Sequence, residues 1–561
     1  MIRGPGLDAP LIRVGGNLVV SFKIESHNHP SAVDPYDGAA TGVGGGIVRD
    51  ILTTGLRPIA LMDNLHFGPP NNPHSQWLMR NVVRGGISDY GNRIGVPVVA
   101  GEVWFDESFT TNPIVLVTCI GVGRPEDVVV GEASPGGDIV LVIGNDVGRD
   151  GMLGSSFASK ILERNEDNIG AVQVGNPLLE KLLIDALIEL RGRGGLVKAI
   201  KDVGGGGGLA TALSELADQF GLGIEVHLDR IRTREGMAPE EILVSESQER
   251  MVIVVSKEGL DEVEGILRRY GGVGYDVVGV LTNNGMFVAY YGGEAIVNLP
   301  VKLITHAPET NYDIREPHYL GELRAIPELP DVPPLEEALT KILSDPNMAS
   351  KEPIFSLYDY EVGVRTVIKP GRAGAAVLRL LDVDGGDGKL GIAVKADANP
   401  RYSFLDPFIG GRQFPSQGLQ NVVAVGAEPP LAAVDSINVG NPEKPDRYWY
   451  FVNSVLGLAW FARELGIPVV GGKVSFYNED SRGNVIKPVV AVAVLGQVDD
   501  VDEAVDGGLI GGDGALIIIG NTSNEMGGVP STYTRFTALS GAYHQGPGRG
   551  MRLGTPGQSL G

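Results

Sequence analysis

FKIESHNHPSAVDPYDGAATGVGGGIVRD, residues Phe22–Asp50, places two of the chain's 8 histidines in one tetrapeptide and follows them with small residues. Part of this stretch returns later. KIESHNHPSAVDPYDGA (23–39) aligns with VKADANPRYSFLDPFIGG (394–411). TTGLRPIALMDNLHFGPPNNP (53–73) aligns with AVGAEPPLAAVDSINVGNPEKP (424–445), and IGVPVVAGEVWFDES (94–108) with LGIPVVGGKVSFYNE (465–479). Order and spacing agree over roughly a hundred residues, the mark of a large internal repeat. A further pairing links VLVIGNDVGRDGMLGSS (140–156) to ALIIIGNTSNEMGG (515–528). The chain therefore reads as two copies of one two-domain module, A1–B1–A2–B2.

The expected spans are 1–125 for A1, 130–300 for B1, 301–352 for a Pro-rich charged linker, 353–500 for A2 and 501–561 for B2. Strands such as NLVVSFKIE alternate with helical stretches such as NVVRGGISDYGNRIG. That mixture predicts an α/β or α+β fold and excludes a helical bundle or a β-sandwich. NPLLEKLLIDALIELRGRG (176–194) reads as an amphipathic helix, capped by Asn176, with Pro177 in its first turn and Gly at its end.

The bulk numbers exclude several classes of function. A formal net charge of −23 repels phosphate backbones, so no nucleic acid partner is expected. No run approaches the ~18–20 apolar residues of a membrane span, and no secretory signal pattern opens the chain. Cys119 is the single cysteine, which excludes an internal disulfide and a cysteine metal cluster. It lies in IVLVTCIGVG, read as a buried strand. A cytoplasmic protein is expected.

The opening stretch also carries chemistry. NLVVSFKIE is a strand ending at Glu25, and Pro30 biases His29 away from helix. Side chains just past a strand end stand on a rigid rim, and histidine exchanges protons near neutral pH. A turn with solvent-exposed histidines is the plainer reading. The following GAATGVGGGIVRDIL reads as a Gly-rich anion-binding turn that opens a helix. Arg49 suits phosphate, and Asp50 with Glu25 offers hard oxygen ligands for Mg²⁺. The plainer reading of Arg49–Asp50 is a surface ion pair. In B1, KDVGGGGGLATALSELA sets Asp202 before five glycines and a helix, and VQVGNP sets Gln173 before another. LVSESQER carries Glu246, Ser247 and Gln248, which would otherwise be a helix N-cap built on Ser245.

Together these motifs resemble the synthetase subunit family of phosphoribosylformylglycinamidine synthase (PurL, short form). GRDGMLGSSFAS, VQVGNPLLEK, RTREGMAPEEILVSESQERM, ADANPRYSFLDPF and GGKVSFYNE resemble it as well, in the family's order, across about residues 4–528. The resemblance implies a tandem duplicated module of the aminoimidazole ribonucleotide synthetase-like ATP-binding superfamily, with a central barrel built by A1 and A2. It implies ATP-dependent amidation of formylglycinamide ribonucleotide in de novo purine biosynthesis. The amide oxygen would be phosphorylated to an iminophosphate, and ammonia would displace phosphate. It also implies ATP and Mg²⁺ as cofactors, with a separate glutaminase and a small bridging subunit as partners. His27 would be the proton acceptor. Lys23, Asp435 and Gly472 would meet ATP. Ser26, His27, Asn28, His29, Arg49, Gln173, Glu246, Ser247, Gln248 and Ser475 would line the substrate. Glu25, Asp50 and Asp202 would ligate the metal.

The chain departs from the family pattern in four places. The family's upstream histidine motif has no counterpart before MIRGPGLDAPLIRVGG. GVGGGIVRD holds one glycine more than the usual loop. Lys473 stands where many members carry an Asn metal ligand. After Gly528 the resemblance stops, and residues 529–561 are expected to be non-native, from a shifted reading frame. The chain thus reads as truncated at both ends. The alternative function is a truncated chain that binds nucleotide or substrate without chemistry; a single-module kinase-like synthetase of the superfamily is a third reading.

Overall fold

The computed structural model describes residues 8–129, 133–134, 137–163, 166–204, 206–323, 333–381, 388–428, 432–508, 514–515 and 517–519. The run 529–561 and most of the 515–528 repeat lie outside them.

Three sheets carry the described residues. The first holds β1 (Ile12–Val14), β2 (Leu18–Ser26), β3 (Arg57–Phe67), β4 (Val98–Phe105) and β5 (Ile114–Gly123), in the order β1-β2-β5-β3-β4. The second holds β6 (Ile139–Gly144), β7 (Val197–Val203), β8 (Gly223–His227), β9 (Arg250–Val255), β10 (Gly274–Thr282), β11 (Met286–Tyr291) and β12 (Glu294–Pro300), in the order β12-β11-β8-β10-β6-β9-β7. The third holds β13 (Thr366–Ile368), β14 (Ala376–Arg379), β15 (Gly391–Asp397), β16 (Ala432–Asn438), β17 (Val469–Ser475) and β18 (Val489–Val498), in the order β13-β14-β15-β18-β16-β17.

The first and third sheets are copies. β2–β5 and β5–β3 are antiparallel and β3–β4 parallel; β15–β18, β18–β16 and β16–β17 repeat that pattern. Register fixes the equivalences. Val117 pairs with both Glu25 and Asp63, and Val492 with both Asp397 and Asp435. Asp63 then pairs with Gly101, as Asp435 does with Gly472.

The two copies close on each other. β2 packs against β16 and β17, while β15 packs against β3 and β4. Alternation along β2 decides what enters the shared interior: Leu18, Val20, Phe22 and Ile24 point into it with Met62, Leu116, Val394, Val434 and Ala493. Each of the larger side chains among them contributes roughly 1.5–3 kcal/mol when fully buried. Val19 points the other way, toward a helical layer shared with the second sheet. Lys23 and Glu25 occupy that same outer face, which opens at the strand's end.

On that face Val115, Val117 and Cys119 of β5 share a core with Leu183, Ile184 and Leu187 of the helix Pro177–Arg191 and with Leu141 and Ile253 of the second sheet. Cys119 is fully buried, as its strand position predicts. The opposite face of that sheet packs Val140, Val142 and Val252 on the helix Gly208–Gln219. Asn176 caps Pro177–Arg191 by accepting from the Leu179 N–H at 3.2 Å, as its sequence predicts.

Three local expectations change. A helix spans Asn28–Val33 and includes His29, because Pro30 sits in the first turn, where its missing N–H has no partner to lose. The Gly-rich run is not a turn. It is the π-helical middle (Gly42–Val48) of a helix that begins at Pro35, with Asp34 as cap, and runs on through Arg49–Thr53. A π turn is one residue wider than an α turn, which gives an extra glycine a place. Contact explains the small residues: a Cβ on Gly44 would lie 2.0 Å from the Tyr90 ring, and one on Gly38 would lie 2.4 Å from the Pro30 backbone. Finally, Ser245 ends the helix Pro239–Val244 rather than starting one, and Glu246–Glu249 form the turn into β9.

Candidate active site

A cavity of ≈ 530 Å³ opens where β2 ends, within the ~300–1,000 Å³ usual for small-molecule sites. Lys23, Glu25, Ser26, His27, Asn28, His29, Asp50, Gln173, Asp202, Glu246, Gln248 and Ser475 line it, so residues from both A copies and from the intervening sheet meet. Asp8, Ser155, Lys201, Lys473 and Tyr477 line it as well. Sequence reasoning missed Asp8 and Lys201 altogether; for Lys473 it offered direct contact with a phosphate in place of metal ligation.

Charge organises the floor. Lys23 Nζ lies 3.1 Å from Glu25 and 2.7 Å from Asp50. Lys473, reaching across from β17, lies 3.0 Å from the other Glu25 oxygen. Burial works against the Glu25 charge, but Lys473 and Lys23 outweigh it and hold the carboxyl at about 2. Burial likewise opposes the Lys23 charge, and Asp50 and Glu25 overcome it. Asp50 is pushed well above the usual carboxylate range by burial and by Asp202, Glu25 and Asp8, against the pull of Lys23.

Asp8, Asp50 and Asp202 place one carboxylate oxygen each within 4.8 Å of one another. This hard-oxygen donor set, strained by its own repulsion, fits a divalent cation. Asp50 and Asp202 thus come together as expected. Glu25 instead has two ammonium partners, and Asp8 takes the third place in the group. Lys201 pairs with Asp8 and lies 3.9 Å from Asp202.

The histidines differ in environment. His27 Nδ1 makes a short bond with the Gly38 carbonyl oxygen, so Nδ1 carries the proton and Nε2 is left as the basic nitrogen. Burial lowers its pKa below the ordinary value and keeps the ring neutral. Gly42 gives this ring its room, since a Cβ there would meet His27 Cβ at 2.8 Å. His29 turns inward: Nε2 meets the Lys160 carbonyl at 3.0 Å, Phe157 stands edge-on, and burial holds it down to about 4. Asn28 joins the two halves. Its Nδ2 donates to Asn438 and Asn478 at 2.9 and 3.0 Å, and its Oδ1 accepts from the Val115 N–H.

Glu246 ties three segments together. Oε1 accepts from the Ser155 N–H at 3.1 Å and the Gly207 N–H at 3.2 Å, and Oε2 accepts from Gln173 Nε2 at 3.0 Å. Gln173 Oε1 has no hydrogen-bond partner among the described residues. The buried Arg250, which sequence reasoning also missed, holds this turn by donating to the Ser245 and Ser247 carbonyls.

Four expected residues stand back from the cavity. Arg49 is fully buried behind it and donates to Gln248 Oε1 at 2.8 Å. Ser247 is buried against Asp150, its Oγ 2.7 Å from the carboxylate. Asp435 and Gly472 pair across β16 and β17 beside Lys473, and burial pushes Asp435 up to about 7. In the mirrored copy the equivalent of Lys473 is Glu102, which burial pushes up to about 8. The two mirrored rims therefore differ at this position: one presents an ammonium, the other a buried carboxyl whose charge is disfavoured.

The AIR synthase related protein family matches in both parts: its N-terminal domain over residues 6–123 and 373–498, and its C-terminal domain over 136–292. Phosphoribosylformylglycinamidine synthase subunit PurL of Caldivirga maquilingensis is 68% identical over 529 residues, which span 94% of this chain and 72% of the relative. The subunit from Pyrobaculum neutrophilum is 54% identical over 94% of this chain and 73% of its own length. Among solved structures, Thermotoga maritima PurL complexed with FGAR superposes with a TM-score of 0.74 at 34% identity, covering 89% of this chain and 75% of that one. The same protein complexed with ATP gives 0.71 at 33% identity, covering 87% and 74%, and the structure of PurLQS from Thermotoga maritima gives 0.74 at 33%, covering 90% and 76%. A duplicated sheet, a cavity lined from both copies and relatives of this identity agree: the chain belongs to the PurL family of phosphoribosylformylglycinamidine synthase subunits.

Proposed function

We propose that this cavity binds ATP and formylglycinamide ribonucleotide (FGAR) and converts the latter's amide into an amidine, as an ATP-dependent carbon–nitrogen ligase. The observation that carries the reading is the convergence of Lys23, Glu25, His27, Asp50, Gln173, Asp202 and Ser475 on one space. Thermotoga maritima PurL, whose structures are complexed with FGAR and with ATP, supports it.

The chemistry follows from the groups present. An amide oxygen is a poor leaving group. Transfer of the γ-phosphoryl group to it, with departure of ADP, makes it a good one. Ammonia then adds to the carbon of this iminophosphate, phosphate leaves with the oxygen, and nitrogen takes its place. The adding ammonia must lose a proton, and neutral His27 offers Nε2 for it. Lys23 and Lys473 bring positive charge to the side where phosphoryl oxygens collect. Gln173 Oε1 offers an acceptor to the substrate. Asp8, Asp50 and Asp202 would hold Mg²⁺, which when bound would neutralise phosphate charge. Arg49 would act on the substrate phosphate from behind Gln248, and Asp435 and Gly472 on the nucleotide from beside Lys473. Ammonia would come from a separate glutaminase, docked with a small bridging subunit, in the cytoplasm. No helix among the described residues is long and apolar enough to cross a membrane. The division into 1–125, 130–300, 301–352, 353–500 and 501–561 is proposed on the same ground, since each sheet falls within one of these spans.

The test is phosphate release with ATP, Mg²⁺, FGAR and free ammonium at mildly alkaline pH, with His27→Ala as control. FGAR-dependent release that the variant loses is the expected result. Binding of FGAR or ATP without release would replace this reading by that of a binding-only chain, and release independent of FGAR would replace the substrate.

A further inference from the structure

The cavity wall carries a further ammonium, Lys201, beside Lys23 and Lys473, and the chemistry above does not use it. Lys201 stands on β7, the edge strand of the second sheet. Alternation there sends Ala199 and Val203 toward the helix Gly208–Gln219 and Ile200 toward the layer shared with the first sheet. Lys201 therefore starts on the helix side and Asp202 on the other. At a sheet edge a long, flexible stem can reach round to both sides.

Three carboxylates share its ammonium. Glu215, on the helix, is 2.8 Å away, Asp8 pairs with it closely, and Asp202 lies at 3.9 Å. The Glu215 side chain is 47% exposed and those of Asp8 and Asp202 only 18% and 15%, so the ammonium lies between solvent and the cavity. Burial opposes its charge, and Asp202, Asp8 and Glu215 overcome it.

Asp8 and Asp202 also belong to the carboxylate group that fits a divalent cation, and its third member, Asp50, is held by Lys23 at 2.7 Å. Two ammonium charges thus face the group, the same charge that one divalent cation brings. Positive charges about 4 Å apart in a partly buried site repel each other strongly. A divalent cation that takes Asp8 and Asp202 must therefore turn Lys201 away. The phosphate oxygens of a nucleotide arriving with that cation offer the displaced ammonium a new partner in the same cavity.

We infer that Lys201 is a further nucleotide-binding residue: it competes with the divalent cation for Asp8 and Asp202, and once displaced it pairs with the nucleotide's phosphate oxygens. The inference rests on the proposed reading of the cavity as an ATP site.

The experiment compares the full chain with Lys201→Met, which keeps the stem and removes the ammonium. Mn²⁺ alone is the probe cation, its free fraction followed by electron spin resonance. ATP affinity is then measured by calorimetry at saturating Mg²⁺. Neither measurement needs turnover. The expected result is a pair of opposite changes: Mn²⁺ bound about 10-fold or more tightly, and ATP bound about 10-fold or more weakly. Lys201→Arg keeps the charge and should stay near the wild type in both. A residue that merely holds Asp8 in place would instead weaken Mn²⁺ binding when removed, and that outcome overturns the inference. Unchanged Mn²⁺ affinity or unchanged ATP affinity overturns it as well. Should the methionine variant not fold, Lys201→Gln is read in the same way. A wild type that binds no ATP refutes the reading of the cavity and this inference with it; a wild type that binds both, with Lys201→Met equal to it, refutes the inference alone.

Discussion

Replacing Lys487 by methionine should cost ~3–5 kcal/mol of stability, the usual consequence of removing one member of a buried ion pair. Lys487 precedes β18 in the second copy, and Asp106 follows β4 in the first. Their charged ends are 2.5 Å apart, with side chains only 5% and 2% exposed. Asp106 also caps a short helical turn by accepting from the Ser108 N–H at 3.1 Å, so its carboxylate cannot swing out to water without losing that bond as well. Methionine keeps the stem's packing and removes only the ammonium. Asp106→Asn alone should be milder, because an amide can still accept from Ser108. The double variant should recover part of the loss, with a coupling of ~0.5–3 kcal/mol. Urea unfolding of the wild type, both single variants and the double variant closes the cycle, and FGAR affinity reports whether Lys473 and Ser475 still meet the first copy. Single losses under ~1 kcal/mol that simply add would mean the pair behaves like a surface bridge. The pair would then not be what locks the two copies together.

Asp63 is buried, accepts from the Tyr358 hydroxyl at 2.6 Å and is pushed up to about 7, chiefly by burial. A carboxyl raised in the folded state contributes stability below its unfolded value of 3.8, and that contribution is lost as pH rises toward 7. Asp63→Asn should therefore match the wild type near pH 4 and exceed it at pH 8 by up to ~4 kcal/mol; a difference in melting temperature that does not vary with pH would sink this. Gly44→Ala should destabilise by ~1–3 kcal/mol, because the new Cβ meets the Tyr90 ring and that ring is held by Glu249; unchanged thermal unfolding would contradict the contact. His27→Asn should lose ~10²–10⁴-fold in ammonium-dependent activity. Its stability should stay within ~1 kcal/mol, because a new helix cap offsets the lost bond to Gly38; retained turnover would remove His27 from the chemistry.

The duplication was legible because register is written into the strands. Alternation along the strand that ends at Glu25 and the matched segments from Ile94 and Leu465 predict two sheets of one design, and the pairings of Val117 and Val492 have that form. The rim residues were legible for the same reason, since a strand end fixes where Lys23 and Glu25 point. The Gly-rich run was not. Local propensity disfavours helix there, but Gly38, Gly42 and Gly44 sit where Pro30, His27 and Tyr90 press against the backbone, and those contacts are known only once the chain is folded. Continuing the helix through Gly42–Val48 also carries Arg49 behind the cavity, where a loop ending at Val48 would have set it at a helix start. Asp8 is a single acid in a Gly- and Pro-rich segment, with nothing local to mark it. Lys473 had a signal in its alignment with Glu102, a reversal of charge within an otherwise matched strand.

That reversal belongs to a wider asymmetry between the copies. Asp34 and Asp406 stand at equivalent positions and both cap the helix that follows. One helix earlier, Asn399 caps its helix by accepting from the Arg401 and Tyr402 N–H groups, while its equivalent, His27, makes no cap bond at all. A good N-cap is worth ~0.5–2 kcal/mol, so the first copy gives up local stability at this one position. It does so where the ring reaches a cavity that Lys473 supplies with positive charge, whereas the mirrored rim carries Glu102 and the capped Asn399. Locally consistent sequences break their own rules where function requires it. Under the proposed function, the break at His27, confined to one of two otherwise equivalent helices, is the reason to place proton transfer in the cavity at the end of β2 rather than in its mirror image.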